Sequence, residues 1–180
     1  MTFLELARRR HSLRRYDPRP VPREVLDRCC EAARLAPSAC NGQPWRFVLA
    51  DRDPLRARLG EAAFSGPHRM NRFALDAPVL VVLAETPLPW TARLGAFFQG
   101  VPFSLSDAAI AGEHFVLQAE EEGLGTCWLG WFDASGVARV LNLPRSERPL
   151  FLLAAGYPPE EHRPKPPHRI PLEEMRRYGD

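Results

Sequence analysis

Lysine is almost absent from this chain of 180 residues: Lys165 is the only one, and the remaining positive charge is arginine. The formal net charge of +2 is too near balance for a molecule that binds nucleic acid through its overall field. Cysteine is scarce. Cys29, Cys30, Cys40 and Cys127 have no C-x-x-C spacing, which excludes a zinc ribbon or a thioredoxin-like motif. Adjacent Cys29 and Cys30 point different ways on a helix, so four free thiols in a reducing compartment are expected. Long apolar runs are also lacking. The run Pro78 to Ala84 is far too short to cross a bilayer, and no apolar leader opens the chain. The expected setting is the cytoplasm, with no membrane and no nucleic-acid partner. Glu113-His114 lacks the second histidine of H-E-x-x-H, and neither G-x-S-x-G nor a Walker loop occurs. Gly123, Gly125 and Gly130 follow a helix, so they fail the strand-to-helix context of a dinucleotide turn. No metal is expected.

With 45% apolar residues, no internal repeat and no dividing linker, the chain suits a single domain over residues 1–180. Helical spacing predicts helices over Phe3–Arg10 and from Pro22 to about Ala36, where Pro37 stops the second. Asp53-Pro54 reads as cap and first residue of a third. Ser106-Asp107 reads as the cap of a long helix to Glu122, closed by Gly123. Asp133 is expected to cap a short helix through Leu141, and Pro171 to open a last one over Leu172–Tyr178. Strands are expected at Trp45–Ala50, Pro78–Ala84, Thr126–Leu129 and Leu150–Ala155. The stretch Thr86–Phe103 is long, irregular and rich in aromatics, which argues for a functional loop. The irregular alternation gives an α+β class: a central mixed, mainly antiparallel sheet flanked by helices, with an extended C-terminal tail.

Four constellations carry chemical potential. Arg8 to Tyr16 holds a dense cationic cluster with a hydroxyl, and Arg10, Ser12 and Arg14 together supply the forked and short donors that phosphate recognition needs. A solvated helix end has the same composition. Ala36-Pro37-Ser38-Ala39-Cys40-Asn41-Gly42-Gln43-Pro44-Trp45 is a polar turn suited to a ring edge with alternating donors and acceptors, or a plain turn. Gly123 to Phe132 combines a helix stop with glycines that let backbone approach a flat ligand. Lys165, His168 and Arg169 form a second cationic set in the tail, or ordinary surface charge.

In this order, these segments resemble the FMN-dependent nitroreductase family. Arg10-His11-Ser12-x-Arg14 is similar to its N-terminal phosphate motif, and Ala36 to Phe47 to its A-P-S-x-x-N-x-Q-P-W-x-F segment. Asp107-x-x-Ile-Ala-x-Glu-His followed by Gly123 to Gly130 resembles its central helix and glycine strand. Gly156-Tyr-Pro158 with Arg169 resembles its C-terminal signature.

The resemblance implies a homodimer with FMN at the subunit interface. Arg10, Ser12 and Arg169 would hold the phosphate, His11 would line the same turn, and Arg14 would face the flavin pyrimidine edge. Pro37, Ser38, Ala39 and Asn41 would reach the flavin of the partner subunit. Backbone groups of Leu129, Gly130 and Trp131 would lie beside the flavin N5, and Asn71, with Arg72 near it, falls at a ring contact. Trp131 departs from the small residue common in the family and would narrow the pocket. Trp90, Phe97, Phe98 and Phe103 are candidate lid residues. The implied activity is ping-pong electron transfer from NAD(P)H to a small aromatic or quinone-like acceptor such as a nitroaromatic, with no essential catalytic side chain. A relative with other chemistry, such as reductive dehalogenation, or a non-catalytic flavin binder, is the alternative.

Overall fold

The computed structural model describes residues 1–90, 95, 98, 100–164 and 168–179. Helix α1 (Phe3–Arg9) begins on a capping box: Thr2 accepts from the Glu5 N–H, and the Glu5 carboxylate accepts from the Thr2 N–H. Helix α2 (Arg23–Arg34) follows the proline connector and buries Leu26, Cys29 and Ala33 on one face. Strand β1 (Trp45–Ala50), helix α3 (Leu55–Ala63) and strand β2 (Val79–Glu85) come next. The long helix α4 (Phe103–Glu121) leads to strand β3 (Gly125–Leu129), short helix α5 (Ala134–Val140), strand β4 (Arg148–Gly156) and helix α6 (Leu172–Met175).

The sheet order is β1-β2-β4-β3, and each neighbouring pair runs antiparallel. A parallel bridge of Ser12 to Thr126 lays the segment after α1 along the β3 edge. β2 is apolar without alternation because both of its faces are covered, and Val79 to Ala84 are fully buried. One face packs on Leu13, Leu59, Phe64, Val137 and Leu152. The other packs on α2 and α4 through Leu26, Ala33, Phe115 and Val116.

Several boundaries differ from expectation for local reasons. α4 starts at Phe103, not at Ser106-Asp107: the Leu105 N–H already donates to the Pro102 carbonyl at 3.0 Å. The Ser106 hydroxyl donates back to the Phe103 carbonyl, while buried Asp107 serves a tertiary contact. Asp53 is one residue too early to be the cap of α3. Its carboxylate nevertheless accepts from the Ala57 N–H at 3.1 Å. The last helix stops at Met175, short of Tyr178. A run of 3-10 turns over Gly66–Asp76, unforeseen from periodicity, crosses from α3 to β2. Gly123 closes α4 as expected, with φ of 80°.

Candidate functional site

The free side of β3 gathers most of the expected site. Arg10 ends α1, its N–H donating to the Leu6 carbonyl at 3.0 Å, and the chain then turns onto β3. Behind it, Arg9 fastens α1 to α4. Its Nε donates to Glu120 Oε1 at 2.7 Å and its Nη2 to the Glu120 carbonyl at 2.8 Å. Past the turn, the Leu13 N–H donates to the Thr126 carbonyl at 2.9 Å, and the buried Tyr16 hydroxyl donates to the Leu13 carbonyl at 2.7 Å. Burial pushes the Tyr16 hydroxyl well above the ordinary phenol range, so it stays a donor.

The Ser12–Thr126 bridge brings the Arg10–Arg14 segment beside Cys127 of β3. Burial pushes the Cys127 thiol up, while Arg14, a hydrogen bond with Ser12 and Arg10 pull the other way. The Arg14 guanidinium also lies over Phe73, 5.9 Å from the ring centroid. Cation and hydroxyl, neighbours in the sequence, therefore share one locality beside β3.

Further along β3 the backbone emerges at Gly130. A Cβ built there meets nothing within 4 Å, so a flat molecule has room against the main chain. Leu129 just before it is buried in the core. Trp131 just after it is exposed, and is held from two sides. Its carbonyl accepts from Asn71 Nδ2 at 2.8 Å, and its indole N–H donates to the Pro67 carbonyl at 3.2 Å. His68 tilts against the indole at 5.0 Å. Arg72, expected near Asn71's role, pairs instead with Glu61 at 3.0 Å.

The Pro37–Asn41 turn is elsewhere. Its 3-10 segment (Ala39–Asn41) is tied to α4 by the Ala39 N–H, which donates to Asp107 Oδ2 at 3.1 Å. Ser38 Oγ accepts from the Gln43 N–H at 3.0 Å. Cys40, Asn41 and Gln43 all hold positive φ, at 51°, 51° and 44°. Non-glycine residues in that region carry strain of order 1 kcal/mol each, which structures retain mainly at sites with a task. This turn enters β1 at Trp45, opposite Glu85, whereas Thr126 lies across from Ala155 and, through it, Val79 at the other end of β2. The two motif clusters thus sit at diagonal corners of the sheet, roughly 20 Å apart along the strands and about 14 Å across them.

Arg169 is exposed. Its hydrogen bond goes to the neighbouring His168 carbonyl at 3.4 Å, and among the described residues no hydrogen bond or ion pair joins it to the Arg10 turn. Lys165 and Phe97 lie outside the described residues. Trp90 and Phe98 are exposed, while Phe103 belongs to α4 and not to the preceding loop.

Sequence reasoning missed His162. Its Nε2 lies 2.7 Å from Nε2 of His11, and the two rings stack at 4.9 Å. The partners are 151 positions apart, and no spacing rule links them. It also missed that Cys127 sits within the arginine cluster.

As a donor set, Arg10, Ser12 and Arg14 beside bare backbone at Gly130 fit a ligand with a phosphate and a flat ring. No cluster of three or more His, Cys, Asp or Glu among the described residues could hold a metal. No helix among them is long and apolar enough to cross a membrane.

Comparison with known proteins agrees with this geometry. The nitroreductase family profile matches residues 7–157. The NADH dehydrogenase of Thermus thermophilus is 35% identical, over 94% of this chain and 92% of that protein. The iodotyrosine deiodinase of Thermotoga neapolitana is 27% identical, over 91% of each chain. A nitroreductase family protein from Clostridium difficile superposes with a TM-score of 0.80 at 28% identity, covering 100% of this chain and 99% of that one. The chain belongs to the nitroreductase family of oxidoreductases.

Proposed function

We propose that this protein is an FMN-dependent oxidoreductase that carries electrons from NAD(P)H to small oxidised acceptors such as nitroaromatics or quinones, and that it works as a homodimer. The observation that carries the reading is that the bridge of Ser12 to Thr126 lays the Arg10–Arg14 segment along β3, whose backbone opens at Gly130.

Arg10 and Ser12 would hold the cofactor phosphate, with Arg14 toward the ring. The chemistry FMN supplies when bound is two-electron transfer from donor to acceptor, the two using one place in turn. The chain's own task is to bind, orient and screen. Arg14, whose guanidinium lies over Phe73, would place positive charge where a reduced ring gains negative charge. Trp131, held by Asn71 and Pro67, walls the space beside Gly130 and favours thin, flat acceptors. No side chain need relay a proton, because the site lies at an open edge that water reaches.

The separation of the two clusters supports dimerisation. The Pro37–Asn41 turn lies at the opposite edge of the sheet from β3 and would reach a ring at Gly130 from a second copy. An apolar groove of about 620 Å³ between α1, α2 and α4, lined by Phe3, Leu6, Leu35, Ile110 and Leu117, offers a face for that copy. Ile110 is part exposed on the long helix. Arg169, exposed in the tail, would then close on the phosphate from the assembled dimer.

Initial-rate kinetics test the mechanism. Varying NAD(P)H at several fixed concentrations of a nitroaromatic should give parallel double-reciprocal lines, whereas intersecting lines would show both substrates bound together and refute alternation. Reductive dehalogenation is the second reading, favoured by the full-length likeness to an iodotyrosine deiodinase. Halide release from a halogenated phenol under the same donor would favour it.

A further inference from the structure

The His11–His162 pair joins the expected phosphate turn to a tail residue beyond the family match at residues 7–157. Both rings are half-buried. His11 Nδ1 lies 3.1 Å from the Arg9 carbonyl, which can only accept, so this nitrogen carries a proton. In neutral His11 that leaves Nε2 as an acceptor, and His162 Nε2–H must donate across the 2.7 Å gap. If His11 is cationic, its Nε2–H donates and neutral His162 accepts. With both rings cationic, two N–H groups face each other and the bond is lost. The pair thus tolerates no proton or one, never two.

We propose that His162 is a positioning residue for the cofactor-phosphate turn: its imidazole grips His11 and holds Arg10–Ser12 in binding geometry until a second proton breaks the grip. The proposal rests on the FMN reading given above.

Burial sets the direction, and the charges around the pair modify it. Arg15 and Arg163 disfavour a second proton, as does His11 itself, and Glu161 opposes them. Burial is the largest influence, and the His162 imidazole sits below its ordinary value of 6.5. Arg9 and Glu120, paired with each other, and Glu160 line the same cavity of about 400 Å³. A ring whose docked value is depressed gives full docking stability above 6.5 and loses it as pH falls below that. The grip therefore weakens in acid.

FMN affinity, read by quenching of flavin fluorescence between pH 7.5 and 5.5, tests this in the full-length protein. The FMN phosphate itself gains a proton near pH 6, so a variant must serve as the reference. His162→Gln keeps a donor and an acceptor for His11 but does not titrate. It should bind like wild type at pH 7.5 and lose about fivefold less affinity on acidification, the worth of one hydrogen bond. His162→Ala should bind more weakly at both pH values. Imidazole 15N shifts of wild type at pH 7.5 should also report a His11 protonated at Nδ1. Identical pH profiles in wild type, His162→Gln and His162→Ala would overturn the proposal while leaving the FMN reading intact. Failure of wild type to bind FMN at any pH would overturn both.

Discussion

Arg10 stands where α1 ends and the chain turns onto β3, and its neighbour Arg9 is already committed to buried Glu120. Arg9 is structural, whereas Arg10 is proposed to meet the cofactor phosphate, and substitutions should separate them. Arg10→Ala is expected to weaken FMN binding about 10- to 100-fold, the range of lost charge-assisted hydrogen bonds, with the urea midpoint nearly unchanged. Arg9→Ala strands a buried carboxylate and should lower stability by about 2 kcal/mol in the same urea titration. The thiols divide in a similar way. Cys40 is exposed, whereas burial pushes Cys29 up to about 12 and Cys30 to about 11, and raises Cys127. An aromatic disulfide reagent at pH 8 should therefore label Cys40 first, with the other three reacting only as the protein unfolds. Rapid labelling of Cys127 in the native protein would contradict the burial described for β3.

At the scale of elements, α4 can lie close on the sheet because Gly112 has no side chain. A Cβ there would land in the Trp128 ring, which is itself held edge-on to Phe151 at 5.3 Å and donates to Glu113 at 3.3 Å. Gly112→Ala should cost roughly 1–3 kcal/mol by overpacking, measured by thermal or urea denaturation. The four strands and the long helix were legible because their apolar pattern is strong and their ends carry glycine or proline. Cap residues were the weaker guide. Asp107 reads as a cap by type, yet the fold uses its carboxylate to hold the Ala39 N–H. No element was expected over Gly66–Asp76, whose 3-10 turns bury little: Ala74 is their one buried residue. Yet they carry Asn71 to the Trp131 carbonyl. Within the site, Arg10, Ser12 and Arg14 were readable as a local cluster, whereas His162 was not, since only the fold brings the tail to His11.

On the scale of the whole molecule, one chain holds the parts of the proposed site far from one another. The cationic edge lies at one corner of the sheet and the strained Pro37–Asn41 turn at the opposite corner, so the proposed site would draw on two copies. Light scattering should give twice the chain mass of 20.3 kDa. Ile110→Asp, a charge set in the apolar groove, should yield monomer together with loss of FMN; a monomer that keeps FMN at full affinity would refute the shared site. The most direct measurement is the visible absorption spectrum of the purified protein, reconstituted with FMN if needed and then given NADH or NADPH without oxygen. The account predicts a yellow flavin spectrum that bleaches on addition of the nicotinamide. A protein that stays colourless after incubation with FMN would contradict it.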